Sequence, residues 1–257
     1  MASYTSNYGR GYRSTNQSFG YASWDYHTLK NLRKISPAVQ NHLKRVYLSL
    51  SSAFVAAAVG VYLHLVWNIG GLLTGLAFMG CLIWLLSIPT YSYNENKRIM
   101  LLMAAALLNG ASLGPLIDIV INIDPSVLAT AFLGTGLAFV CFSGAAILAR
   151  RREFIFLGGL LGSGVSILLW LQFASAIFGG SNSIHMFETY FGLLLFLGYI
   201  IFDTQMIIER ADNGDYDYVK HSLELFTDFA AVFVRLLIIM TRNAASRSEK
   251  EKRKRRD

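Results

Sequence analysis

The sequence predicts an all-α integral membrane protein, built as a bundle of about seven transmembrane helices. The composition is 54% apolar and only 15% charged, and the mean hydropathy is +0.42. Four stretches contain no Asp, Glu, Lys or Arg, namely 46–94, 99–117, 125–149 and 154–187. A helix crosses a bilayer with about 20 apolar residues, so each of these stretches is long enough for a span. Because the stretches are continuous and do not alternate, a β-barrel is not expected.

Seven apolar segments divide this region, and each is predicted to be helical because a segment in lipid must satisfy its own backbone hydrogen bonds. The last of them either crosses the membrane or re-enters it. In order, the segments run approximately over 46–66, 70–90, 99–119, 127–149, 154–178, 187–208 and 222–241.

Three regions are expected along the chain. Residues 1–35 form a cytosolic leader that is rich in Ser, Tyr, Gly and Asn, lacks the apolar core of a signal peptide and is largely disordered. Residues 36–241 form the helical bundle, and Ser36-Pro37 is typical of a helix start. Residues 242–257 form a basic tail.

Positive residues orient the bundle, because Lys and Arg favour cytosolic connections. The second connection carries Lys97 and Arg98, the fourth carries 150–152, and the first, third and fifth carry neither Lys nor Arg. The N-terminus and the connection at 210–221 are therefore predicted to be cytosolic. Seven crossings would place the tail outside, yet its eight basic and three acidic residues favour the cytosol, and we expect a cytosolic tail on that ground.

Two acidic residues, Asp203 and Asp228, lie inside the sixth and seventh apolar segments. A carboxylate in hydrocarbon costs roughly 3 kcal/mol on insertion scales, so we expect these groups to have a function or a partner. Their positions are symmetric about the polar connection 211–218. In an antiparallel hairpin the two carboxyls lie at similar depth and, if they face each other, share one proton. This arrangement predicts a proton-sensitive element that could bind calcium transiently, since Ca²⁺ prefers carboxylate oxygens.

Other roles for the two aspartates remain open. Each aspartate could instead pair with a base, Arg210 for Asp203 and Arg235 for Asp228, since both bases lie seven residues away. Two intramembrane aspartates could also form an aspartyl protease, although the second aspartate of those enzymes follows a Gly-x-Gly sequence and Asp228 follows Phe226-Thr227. No His, Cys and Asp cluster has the spacing of a metal enzyme, and no cofactor is expected.

Two motifs resemble the Bax inhibitor-1 family. The sequence Gly-Ala-Ser-Leu-Gly-Pro-Leu-Ile at 110–117 is similar to a family signature, and Gly-Tyr-Ile-Ile-Phe-Asp-Thr-Gln at 198–205 is similar to the motif of its sixth helix. Asp228 occupies the position of the family's second aspartate. The resemblance covers 28–257, and the plant members look closest.

The resemblance implies a regulator of programmed cell death in the endoplasmic reticulum membrane. Family members suppress death triggered by Bax or by reticulum stress, and they lower stored calcium through a pH-sensitive leak. In the bacterial relative the paired aspartates gate that leak, in a bundle around a central seventh helix. That relative also uses an arginine at the end of the second helix, where this chain has the neutral stretch 89–94, with Lys97 and Arg98 nearby but not aligned. A scaffold that regulates cell death through partners without conducting ions is the alternative.

The basic tail has two predicted roles. It either anchors to anionic membrane lipid or binds calmodulin, as plant family members are reported to do. Nucleic acid is not an expected partner, because the run is short and lacks aromatic residues. The Gly-xxx-Gly spacings in the bundle suit either packing within the chain or an oligomer face. The predicted tail contacts come from Arg247, Lys250, Lys252, Arg253, Lys254, Arg255 and Arg256.

Overall fold

The computed structural model describes residues 35–90, 94–149 and 157–254, and in these ranges the chain forms seven helices. Three predicted regions lie wholly or partly outside the described residues: the leader up to residue 34, the basic residues at 150–152, and Arg255 and Arg256 of the tail. In chain order the helices are α1 (Pro37–Trp67), α2 (Leu72–Ser87), α3 (Glu95–Ile123), α4 (Pro125–Leu148), α5 (Leu157–Phe178), α6 (Asn182–Asp212) and α7 (Tyr218–Lys254).

The predicted all-α membrane fold is confirmed. Helices α1, α3, α4, α5 and α6 are each long and apolar enough to cross a bilayer, and α2 is a shorter apolar helix. All seven helices overlap the apolar segments expected from the sequence, in the same order.

The first helix is longer than its apolar segment. The helix that starts after Ser36 continues through the first apolar segment, and together they form α1, a single helix of 31 residues. Ser36 caps its start by accepting a hydrogen bond from the backbone N–H of Val39 at 3.3 Å, which satisfies one of the free donors of a helix N-terminus.

The last helix, α7, is central to the bundle and packs against α1, α3, α4 and α6. Apolar side chains project from it into the core in several directions, and the buried ones include Leu225, Phe226, Phe229, Val232 and Leu237. Since α7 is surrounded by other helices, polar groups on it can be shielded from lipid.

A close crossing of α1 and α3 depends on glycine. An added Cβ at Gly110 would lie 2.0 Å from the carbonyl oxygen of Ala57, and one at Gly60 would lie 2.0 Å from the oxygen of Leu107. The predicted small-residue packing within the chain therefore occurs at Gly110. Gly75 on α2 makes no such contact, since an added Cβ there has no atom within 4 Å.

The ends of α7 lie at opposite ends of the bundle. Its first residue, Tyr218, donates a hydrogen bond to Glu95 at the start of α3. Its last turns contact the other end: Arg242 donates a hydrogen bond to Asn182, at the start of α6, and Arg247 lines a cavity with Asp124, between α3 and α4. Helix α7 runs without interruption to Lys254 and does not turn back within the described residues. Of the two alternatives for the last segment, the uninterrupted helix agrees with a crossing.

Candidate functional site

The site is a pair of carboxyl groups between α6 and α7. The carboxyl groups of Asp203 and Asp228 face each other, close enough to interact directly. Asp228 is only 4% exposed, and its Oδ2 has no hydrogen-bond partner among the described atoms. The hairpin of α6 and α7 thus brings the two residues together at the depth that their symmetric positions predict.

A hydrogen bond between two carboxyl groups needs a proton. An ionised carboxylate only accepts hydrogen bonds, so one member of the pair must be protonated to donate. With one proton between them the two groups carry a single negative charge, and that proton belongs to both groups together. The arrangement of Asp203 and Asp228 can therefore store and release a proton within the bundle.

The two bases offered as alternative partners of the aspartates contact other groups. Arg210 on α6 forms an ion pair with Glu224 on α7, with Nη1 at 2.9 Å from Oε1. The guanidinium of Arg235 donates to the carbonyl of Ala231 at 2.9 Å and lies over the ring of Phe196, 4.4 Å from its centroid. The alternative pairing of Arg210 with Asp203 is not formed, because Glu224, one turn closer to the connection than Asp228, is the acidic group that meets Arg210.

A buried histidine pair, which sequence reasoning missed, lies nearer the α6–α7 connection. The His42 Nε2 and His221 Nδ1 atoms are 2.9 Å apart, and one donates to the other according to the tautomer. The other ring nitrogen of His221 is buried without a hydrogen bond, and it lies 3.9 Å from Asp215 Oδ2. Burial, followed by the nearby His42, lowers the pKa of His221 to about 4, although Asp215 and Asp217 act in the opposite direction.

A buried ion pair on the same end of the bundle was also missed. Arg98 donates from Nη1 and Nη2 to the two carboxylate oxygens of Asp217, at 2.8 and 2.6 Å. Burial alone would raise the pKa of Asp217, but hydrogen bonds from Arg98 and from the Lys220 backbone N–H lower it below its ordinary value. The one available signal was charge, since the positive-inside pattern places 97–98 and the connection 211–218 on the same face.

The tail residues are separated from the α6–α7 connection by the length of α7. Arg247, Lys250 and Lys254 are exposed on the last turns of α7, at the opposite end of the bundle. Lys252 and Arg253 lie on the same helix, while 255–256 fall outside the described residues. If the connection 213–217 faces the cytosol, this geometry places the tail on the other side, against the expectation of a cytosolic tail.

No dense metal site accompanies the carboxyl pair. In the ranges that the structure describes, no three His, Cys, Asp or Glu side chains converge as metal ligands. Two carboxylates with no further acidic or imidazole ligand would hold a hard cation only weakly.

Comparisons with known proteins agree with the motifs. A family described as "Inhibitor of apoptosis-promoting Bax1" matches residues 39–245. A protein of Arabidopsis thaliana named Bax inhibitor 1 is 64% identical over 228 residues, covering 89% of this chain and 92% of the relative. A rice protein of the same name is 59% identical over 245 residues, covering 95% and 98%. A human protein of that name is 41% identical over 232 residues, covering 89% and 97%.

The family match spans most of the chain, including both aspartates and the glycine-proline motif of α3. Relatives named Bax inhibitor 1 in plants and in animals align over nearly their full length. This chain therefore belongs to the Bax inhibitor-1 family of multi-pass membrane proteins.

Proposed function

We propose that this protein suppresses programmed cell death in the membrane of the endoplasmic reticulum, through a pH-sensitive calcium leak gated by Asp203 and Asp228. The suppressing role is supported by family membership, since relatives are named inhibitors of Bax. The reticulum location and the calcium leak are supported by the family resemblance of the motifs.

One observation carries the gating proposal. The carboxyl groups of Asp203 and Asp228 face each other between α6 and α7, without a base bound to either among the described contacts. A structural pair of charges would be expected to include a cation, because an uncompensated charge in a membrane is costly. In a pair that shares one proton, the charge of the pair depends instead on the proton concentration.

The closed state is the singly protonated one. In that state the shared hydrogen bond holds α6 against α7 at the level of Asp203 and Asp228. Loss of the proton leaves two like charges within a few ångströms, and gain of a second proton removes the charge-assisted bond. Either change favours a different separation of the helices, and the pH sets the populations of the states.

Calcium is the ion that suits this pair. Carboxylate oxygens are its preferred ligands, and a site with only two carboxylates releases the ion more readily than a full cage of six to eight oxygens would. Transient binding of this kind is compatible with passage, since conduction requires that an ion enters a site and also leaves it.

The tail is a second element of the proposal. The exposed basic residues at the end of α7 are suited to anionic lipid headgroups or to calmodulin. Helix α7 ends opposite the connection 213–217, so calmodulin would reach a packed tail only if the tail end faces the cytosol.

The cell-death role is tested by expressing the protein in cells in which Bax is induced, with a calcium indicator in the reticulum lumen. The variants are Asp203→Asn, Asp228→Asn and, as a matched control, Asp118→Asn, which alters an exposed aspartate near the far end of α3. We expect the parent and the control to protect cells and to lower stored calcium, and the two site variants to alter both effects.

Each outcome decides between the candidate roles. Full protection by the site variants, together with unchanged stored calcium, would contradict the gate and favour the non-conducting scaffold. Absence of protection by the parent would contradict the suppressing role, and a tagged protein found outside the reticulum would contradict the location.

A further inference from the structure

The carboxylate of Asp217 ties the connection between α6 and α7 to α3 and to the α2–α3 connection. Both of its oxygens receive the guanidinium of Arg98, which lies in the first turn of α3, at 2.8 and 2.6 Å. Both side chains are only 6% exposed. A bidentate contact of this kind fixes orientation as well as distance, because two parallel hydrogen bonds define a plane.

The same carboxylate has two further donors. Thr90, just after α2, donates its hydroxyl to Oδ2 at 2.9 Å, and the backbone N–H of Lys220 donates to Oδ1 at 3.1 Å. Each oxygen of Asp217 thus accepts two hydrogen bonds, so the group is held in its ionised form. Three separate parts of the chain, α3, the α2–α3 connection and α7, meet at this residue.

Asp217 also starts the helix that carries Asp228. Helix α7 begins at the next residue, Tyr218, and the hydrogen bond from the Lys220 N–H makes Asp217 its N-cap. Asp228 follows eleven residues later, or about three turns of unbroken helix. A change of one residue in the register of α7 would rotate Asp228 by about 100° around the helix axis.

The other side of the connection is fixed as well. The backbone N–H of Asp215 donates to the carbonyl of Arg210 at 2.9 Å, and that of Gly214 donates to the carbonyl of Ala211 at 3.1 Å. Gly214 has φ +92°, in the region that favours glycine. The connection is held to the end of α6 by these bonds. The contact of Arg98 with Asp217 therefore helps to fix the position and orientation of the α6–α7 hairpin relative to α3.

We propose that Arg98 is the positioning residue of the carboxyl pair: its bidentate contact with Asp217 fixes the start of α7 and thereby keeps Asp228 facing Asp203. The inference rests on the proposed function where it concerns the leak, but the positioning itself is a statement about geometry. Arg98 touches neither Asp203 nor Asp228 in the contacts described, so it acts only through the course of α7.

Other charged groups surround this joint and the pair. Near Asp217 lie Asp215 on the same connection, Lys220 in the first turn of α7, and His221 with its partner His42 from α1. Toward the carboxyl pair, Arg210 and Glu224 form their own ion pair. Replacing Arg98 removes one positive charge from this set, so a control that removes a nearby exposed positive charge is required.

The experiment measures how close positions 203 and 228 lie, without relying on calcium flux. Asp203→Cys and Asp228→Cys are introduced together after the free cysteines Cys81 and Cys141 have been replaced by alanine. Bridging by dibromobimane, a short reagent that links neighbouring thiols, is timed in the full-length protein. Bridging is measured in the double-cysteine protein alone, here called the parent, and in the same protein with Arg98→Gln, Arg98→Lys or the control Arg45→Gln. The control removes an exposed cation of α1.

We expect Arg98→Gln to slow bridging several-fold and Arg98→Lys to give an intermediate rate, because lysine keeps the charge but not the planar pair of donors. Arg45→Gln should leave the rate unchanged. Rates are compared only for protein that elutes as folded on size exclusion. An unchanged bridging rate in both Arg98 variants would overturn the proposal. A bridging rate that falls only in proportion to the loss of folded protein would overturn it as well. No bridging in the parent would also overturn it.

A second measurement separates this inference from the proposed function. With the native aspartates restored, calcium release from liposomes is followed across pH for the parent, Arg98→Lys and Arg45→Gln. A shifted pH midpoint for Arg98→Lys alone would support positioning of the gate. If the parent conducts no calcium while the Arg98 variants still slow bridging, the leak is contradicted and the positioning stands. An unshifted midpoint with unchanged bridging would overturn the positioning role.

Discussion

Arg210 of α6 donates from a single nitrogen, Nη1, to both carboxylate oxygens of Glu224 of α7, at 2.9 and 3.0 Å. This ion pair lies between the α6–α7 connection and the Asp203–Asp228 pair. It neutralises the acidic group one turn from Asp228 and leaves the two aspartates to bind each other. The seam between the two helices therefore carries an ion pair followed by a carboxyl pair.

The Arg210–Glu224 pair should contribute modestly to stability. Its side chains are 34% and 24% exposed, and partly exposed ion pairs contribute up to about 1 kcal/mol. We expect Arg210→Gln and Glu224→Gln each to lower the free energy of unfolding in detergent, with a coupling energy of about 1 kcal/mol in the double-mutant cycle. Simple additivity of the two losses would show that the pair makes no energetic contribution.

The buried His221 should make the fold sensitive to mild acid. Its pKa falls from the ordinary 6.5 to about 4 on burial, so between these values the unfolded chain binds a proton that the folded chain excludes. Stability is therefore lost as pH falls from 6.5 to 4, by roughly 3 kcal/mol at most. We expect His221→Gln to flatten the dependence of the unfolding temperature on pH in this window.

An exposed histidine supplies the matched control for that measurement. The side chain of His185 is 55% exposed at the start of α6. His185→Gln should change that slope less than His221→Gln does, because the His185 side chain is largely in solvent. Equal slopes for the parent and His221→Gln would contradict the assignment of this acid sensitivity to the buried pair of His42 and His221.

The α1–α3 crossing should not tolerate a methyl group. At Gly110 a Cβ would meet the backbone of Ala57 at 2.0 Å, so the helices would have to separate, and such overpacking costs about 1–3 kcal/mol. Gly136 on α4 has no atom within 4 Å of its added Cβ. We expect Gly110→Ala to lower the unfolding temperature in detergent and Gly136→Ala to leave it unchanged or raise it, and equal effects would contradict the close crossing.

The two ends of α7 should label from opposite sides of a membrane. Single cysteines are placed at Asp215 and at Lys250 in protein without Cys81 and Cys141, and sealed vesicles are treated with a membrane-impermeant maleimide. Because α7 is continuous between these positions, only one of the two should react before detergent is added. Reaction of both from the same side would mean that the last helix re-enters the membrane.

Much of the fold follows from the sequence because lipid permits few solutions. Segments such as 99–119 and 187–208 had to be helical, and α3 and α6 contain them. The placement of Asp203 opposite Asp228 follows from symmetry about one short connection. The start of α1 at Pro37 follows from its Ser-Pro cap, but other ends were less predictable: α7 continues to Lys254, well past its apolar segment 222–241.

The polar contacts at the α6–α7 connection were not predictable. Arg98 and Asp217 are 119 residues apart, and His42 and His221 are 179 apart, so no local spacing signals either pair. The charges were visible in the sequence, but their partners were fixed only when α1, α3 and α7 packed together. The same reason explains why Arg210 met Glu224 and did not meet Asp203.

Calcium flux from liposomes that hold the purified protein tests the central claim most directly. Release is measured across pH for the parent, Asp203→Asn, Asp228→Asn and the control Asp118→Asn, with folded protein confirmed by size exclusion. We predict a pH-dependent flux in the parent and in the control, and a flux whose pH dependence is reduced or lost when either site residue changes, because an amide cannot exchange the shared proton. No flux in folded parent protein, or a pH dependence that both site variants retain, would contradict the two-carboxyl gate.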